Sequence, residues 1–314
     1  MYKFCSNIPK DELETAYKSL YSEINFSSAW RDLIMAHPVL KGVLGRGMTA
    51  EGLLTAPFEK IAEVYFRFIR KETDVTKKEW RVMKDDIKAI YDYDSNMDII
   101  ANFFNDAAHG YEIYNCVYCD LKKASVFKTR DERNVRQYQT EHVLDKGTCP
   151  LLGLSLYNFV PSCPTCNGRA IKGNKTIGEN LIEVKRLSPT VENYDFENNV
   201  HFIISPLTKD ATFKNMAKSQ DDYEVDFDII DKVYCKSVDL FELKSRYNTD
   251  HKGELLQWAD ERNDNTEQRI KDMADVMGIT PEDMYERIFH LKASHDEHRL
   301  MDKARRDIVT YTKG

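Results

Sequence analysis

Gln139-Thr140-Glu141-His142-Val143-Leu144-Asp145-Lys146 is followed by Leu156-Tyr157-Asn158-Phe159-Val160-Pro161-Ser162 and then by Cys163-Pro164-Thr165-Cys166-Asn167. A carboxylate stands beside a histidine, an asparagine comes next, and a CxxC pair opens onto a second asparagine. An earlier pair, Cys116-Val117-Tyr118-Cys119, lies upstream with 43 residues between the two. Within each CxxC one tight turn presents two sulfurs. Two such turns that converge supply four thiolates in the tetrahedron structural zinc prefers. A redox pair is the competing reading, but no strand-then-helix setting surrounds either CxxC. The Met1–Asn7 segment lacks the apolar core of a signal peptide, so secretion is not expected. A metal site is therefore expected over a disulfide framework for these four of the seven cysteines. Cys5, Cys149 and Cys235 read as ordinary residues.

Outward from this stretch, the chain of 314 residues is long enough for a sizeable core, and 42% apolar with 31% charged residues describes a globular protein. No apolar run approaches the ~20 residues of a membrane span, so a cytoplasmic protein is expected. Net charge is −7. Between Cys116 and Arg186, however, twelve Lys or Arg face seven Asp or Glu, a net of +5, which leaves −12 for the rest. A mildly basic segment is embedded in acidic surroundings.

The first ~110 residues carry helical periodicity. Phe58, Ile61, Ala62, Tyr65, Phe68 and Ile69 share one face, as do Met97, Ile100, Ala101 and Phe104; both stripes are expected in the core. Gly42–Gly52 reads as a loop. Beyond Ser188-Pro189, Val200–Ile204 and Tyr223–Ile229 read as strands. Leu240, Leu243 and Tyr247 share a helical face, and so do Ile270, Met273 and Met277, with Gly278 as a C-terminal stop. Thr280-Pro281 starts another helix, and Met301, Ala304 and Ile308 continue the pattern. Three regions follow: 1–110 helical, 111–187 cysteine-bearing, and 188–314 with strands and then helices.

The order CxxC, Glu141-His142, Asn158, CxxC-Asn167 closely resembles the zinc-bearing branch of the HNH endonucleases, the His-Me finger family. The resemblance covers Cys116 to about Lys172. It implies an α+β, mainly helical protein with a central ββα-metal module stapled by a zinc site at Cys116, Cys119, Cys163 and Cys166. In that family His142 is the general base, a role suited to an imidazole with a pKa near ~6.5. Glu141 and Asn167 stand where the family places ligands for Mg²⁺ or Mn²⁺, and Asn158 holds the loop that orients the histidine. Two departures stand out: Glu replaces the more frequent Asp before the histidine, and the third motif position is Asn167 rather than His. Arg169, Lys172 and Lys175 are candidate phosphate contacts, and Lys122, Lys123, Lys128 and Arg130 form a second basic cluster.

Ile100-Ala101-Asn102-Phe103-Phe104 and Asp302–Asp307 resemble elements of PtuB-like HNH nucleases of bacterial antiphage defence, which are encoded beside ATPases. That likeness implies DNA as substrate, an ATPase as protein partner on the acidic flanks, and no membrane. The other readings of the residues are a zinc-stabilised nucleic-acid or protein-binding module without catalysis, and an RNA-cleaving effector. His290, His295 and His298, spaced by five and three, do not share one helical face and are not read as a second metal site.

Overall fold

The computed structural model describes residues 2–291 and 299–311; His295 and His298 lie outside the described residues. The chain is α+β, roughly half helical, with three two-stranded antiparallel sheets among the described residues. Among the described residues no helix is long and apolar enough to cross a membrane. Two compact units divide the chain: residues 2–118 with 123–195, and residues 119–122 with 196–314.

The first unit begins with helices α1 (Lys10–Ser19), α2 (Phe26–Ala36), α3 (Phe58–Ile69), α4 (Lys77–Ile90) and α5 (Tyr93–Asn105). Strands β1 (Val126–Lys128), β2 (Asn134–Arg136), β3 (Gln139–His142) and β4 (Phe159–Ser162) follow, then helices α6 (Pro164–Asn167) and α7 (Leu181–Leu187). Of the expected stripe of α3, Phe58, Ile61, Ala62, Tyr65 and Phe68 are buried, joined by Val64, while Ile69 at the helix end is half-buried. Phe68 meets Trp80 of α4 with ring centroids 4.7 Å apart. Helix α4 starts at a capping box in which Thr76 and Glu79 satisfy each other's backbone N–H. The Gly42–Gly52 segment is a loop up to a 3-10 turn at Glu51–Leu54.

Helix α5 joins the helical region to the strands. Ile100, Ala101, Phe103 and Phe104 are buried. Phe103 meets Tyr17 of α1 edge-on at 5.0 Å, and Phe104 meets Phe159 of β4 edge-on at 6.0 Å. One core thus serves helices and strands together, and the expected division at residue 110 does not separate two bodies. Met97, expected in this core, is 44% exposed because the first turns of α5 lie over an open cleft. The first unit runs on to residue 195. Residues 188–195 stay with the first unit because Phe4 N–H donates to Pro189 O at 2.8 Å and Thr190 Oγ1 donates to Tyr157 O at 2.7 Å.

The second unit holds α8 (Phe196–Asn199), β5 (Val200–Pro206), β6 (Tyr223–Ile229), α9 (Cys235–Leu240), α10 (Leu243–Asp250), α11 (Lys252–Asp264), α12 (Glu267–Met277), α13 (Pro281–Phe289) and α14 (Asp302–Thr310). Strands β5 and β6 pair antiparallel from Val200 opposite Ile229 to Pro206 opposite Tyr223. Phe202 packs on Phe227 and Tyr247, each at 4.6 Å. Leu243 and Tyr247 are buried and Leu240 half-buried. Gly278 closes α12 in the left-handed region (φ 67°), and Thr280-Pro281 opens α13 through a capping box. Met277 is exposed at its helix end, and Ile308 is half-buried because Ala304, Asp307 and Val309 take the inner face of α14.

Candidate functional site

Strands β3 and β4 place Glu141 opposite Val160 and His142 opposite Phe159. The four-residue helix α6 follows β4 directly. Pro164 fixes its first position, and the Cys163 sulfur accepts from Cys166 N–H at 3.4 Å. The sulfurs of Cys116, Cys119, Cys163 and Cys166 all lie within 4.8 Å of one another, and all four residues are buried and outside any disulfide. A tetrahedral zinc with bonds of about 2.3 Å requires sulfurs about 3.8 Å apart. The cluster is compatible with such an ion. Cys149 is buried apart from it, Cys5 is exposed and Cys235 half-buried.

Glu141, His142 and Asn167 line one cleft of about 430 Å³, together with Tyr93, Arg136, Tyr138, Asp145, Lys146 and Arg169. His142 is 5% exposed. Its Nε2 bonds Gly153 O at 3.1 Å. A carbonyl oxygen only accepts, so Nε2 carries the proton and Nδ1 keeps its lone pair. Tyr93 and Phe159 clamp the ring edge-on at 4.6 and 4.7 Å. Burial pulls the imidazole pKa from 6.5 down to about 3, against the opposing pull of Gly153 O. The sequence sets this histidine near ~6.5; the packed ring is instead neutral across the whole range around neutrality.

Asn158 is fully buried. Its Oδ1 accepts from Leu144 N at 2.8 Å, and its Nδ2 donates to Leu144 O at 3.0 Å and to Leu152 O at 3.4 Å. The amide thereby ties both ends of the β3–β4 loop, the loop that presents Gly153 O to His142. Gly153 itself has no room for a side chain: a Cβ there would stand 2.6 Å from Tyr91 O.

Glu141 is 6% exposed, and its Oε1 lies 2.5 Å from Lys172 Nζ. Burial pushes the Glu141 carboxyl above the usual range while the ammonium pulls it down. Asn167 is half-buried, with Nδ2 donating to Gln139 Oε1 at 2.7 Å. That bond orients the amide and leaves Oδ1 as its acceptor. Glu141, Asn167 and Asp145 are among the oxygen donors lining the cleft, the ligand type a hard divalent cation takes.

Of the phosphate candidates, Arg169 and Lys175 are exposed, and Arg169 reaches the cleft. Lys172 differs from expectation. It is 1% exposed, because the carboxylate of Glu141 and the carbonyl of His142 draw its ammonium inward. Lys122, Lys123, Lys128 and Arg130 are exposed. The cations the sequence did not single out are Arg136, paired with Asp98 at 2.8 Å, and Lys146. Lys146 sits 4.0 Å above the Tyr93 ring and 2.5 Å from Asp94. Only the excess of basic residues hinted at them, and nothing in the sequence marked Tyr93.

No family model, no curated protein and no solved structure matches this chain.

Proposed function

We propose that the chain is a metal-dependent endonuclease of the HNH type that hydrolyses phosphodiester bonds in DNA. One observation carries the reading: a strand, a loop, a second strand and a short helix bring Glu141, His142 and Asn167 to one cleft. The neighbouring four-cysteine cluster supports it as a zinc staple that pins the CxxC turn leading into Asn167.

His142, uncharged and oriented by Gly153 O, holds the lone pair needed to take a proton from water. Glu141 and Asn167 would hold a Mg²⁺ or Mn²⁺ ion, which when bound supplies Lewis-acid relief of charge on the phosphate and the leaving oxygen. Arg136, Lys146 and Arg169 give the cleft cations for the nucleic-acid backbone. The ATPase partner of antiphage defence remains the proposal for the acidic remainder of the chain, supported by its net −12 charge.

Incubation of the purified protein with plasmid and Mg²⁺ or Mn²⁺ tests the reading. Nicked or linear product is expected from wild type, none after chelation, and renewed cleavage when the ion is restored. Cleavage of RNA but not DNA transfers the reading to an RNA-cleaving effector. Intact DNA and RNA under all conditions leave the non-catalytic zinc module.

A further inference from the structure

Lys172 lies five positions beyond Asn167, where the sequence suggests a phosphate contact. Its ammonium is instead buried and makes two contacts to adjacent residues of β3: Glu141 Oε1 at 2.5 Å and His142 O at 2.8 Å. Its backbone N–H donates to Cys166 O at 3.2 Å. One residue therefore touches the side chain of the carboxylate, the backbone of the histidine and the backbone of a cluster cysteine. It does not line the cleft, whereas Glu141, His142 and Asn167 do.

A buried ion pair is costly to desolvate, and stability alone is served as well when both partners are replaced by apolar side chains of similar volume. What the ammonium adds is geometry. It holds Oε1 of Glu141 at 2.5 Å, while Glu141 lines the cleft that Lys172 itself does not reach. It also fixes the end of β3 that carries the His142 ring.

We propose that Lys172 is a positioning residue, which orients the Glu141 carboxylate for a divalent cation in the cleft and ties it to the strand end bearing His142. This rests on the nuclease reading of the cleft. Removing a group that orients a metal ligand weakens metal affinity or activity by about 10–100-fold. A phosphate contact would behave differently, changing the affinity for DNA and its salt dependence.

The test uses the full chain as wild type, Lys172→Met and Lys172→Arg. Mn²⁺ binding is followed by electron paramagnetic resonance, alongside the Mn²⁺ concentration for half-maximal plasmid cleavage, KM for DNA and zinc content. For Lys172→Met, Mn²⁺ affinity should fall about 10–100-fold, with KM for DNA and zinc content unchanged. Lys172→Arg, which keeps a cation, should fall between Met and wild type. If Lys172→Met does not fold, Lys172→Gln, which removes the charge but keeps a polar group, takes its place, and wild-type Mn²⁺ affinity in that variant overturns the proposal. So does unchanged Mn²⁺ affinity in Lys172→Met, or a raised KM with an unchanged metal requirement. A wild type that binds Mn²⁺ but leaves DNA and RNA intact would overturn the nuclease reading, while weakened binding in Lys172→Met would still uphold the role of Lys172. A wild type that binds no Mn²⁺ overturns both.

Discussion

Asn158 grips Leu144 by both edges of one amide, accepting from its N–H at 2.8 Å and donating to its carbonyl at 3.0 Å. The pair closes the loop between β3 and β4 where no water reaches it. Asn158→Ala leaves buried backbone groups without partners, at about 1–3 kcal/mol for each. Urea unfolding should show a loss of at least that size. Asn158→Asp, which keeps the acceptor but brings a charge into a dry site, should be no better tolerated. Wild-type stability in the alanine variant would remove the loop-holding role.

Gly153 stands where a methyl group would press on Tyr91 O at 2.6 Å and Pro150 O at 3.2 Å. Its φ of −60° is ordinary, so the requirement is space rather than backbone freedom. Gly153→Ala should displace the loop and pull its carbonyl away from His142, lowering both melting temperature and cleavage rate. A crystal structure of the variant with the Gly153 O to His142 Nε2 contact intact would contradict this.

The four-cysteine cluster should hold about one zinc per chain, since binding there is also folding energy. Cys166→Ser should lower both zinc content and thermal stability. Elemental analysis paired with a melting curve decides the matter: a metal-free protein of full stability would dismiss a structural ion.

His142→Ala removes the lone pair without touching the cysteines. General-base catalysis contributes on the order of 10²–10⁴ in rate, so cleavage should fall at least a hundredfold while zinc content and DNA affinity persist. Equal rates for variant and wild type would end the assignment of His142 as base.

The same residue sets an acid limit on stability. Between pH 6.5 and about 3 the unfolded chain binds a proton at His142 that the folded chain refuses. Its contribution is complete above 6.5 and is lost as the pH falls through that window. From pH 7 to pH 4 the melting temperature of wild type should fall relative to that of His142→Leu, as wild type loses this contribution. Parallel curves would show that the folded histidine titrates normally.

Periodicity and spacing are properties of the chain itself, and what rests on them was legible without coordinates. The buried stripe of α3, the pairing-competent segments of β5 and β6, and the stop at Gly278 follow from side-chain alternation and backbone preference. So does the gathering of two CxxC turns, because four soft thiols at that spacing have few other uses. What the sequence leaves open is environment. Lys172 and Arg169 read alike as cations after Asn167, yet one is buried against Glu141 and the other faces the cleft. Tyr93 joins His142 from a helix far upstream, and Gly153 reaches Nε2 only because Asn158 folds the loop back. The neutral state of His142 comes from desolvation, which exists only after packing has removed the water. Residue identity and local order set the elements and the two cysteine pairs that form the cluster; tertiary structure alone decided which charges are buried, since burial depends on partners distant in the chain.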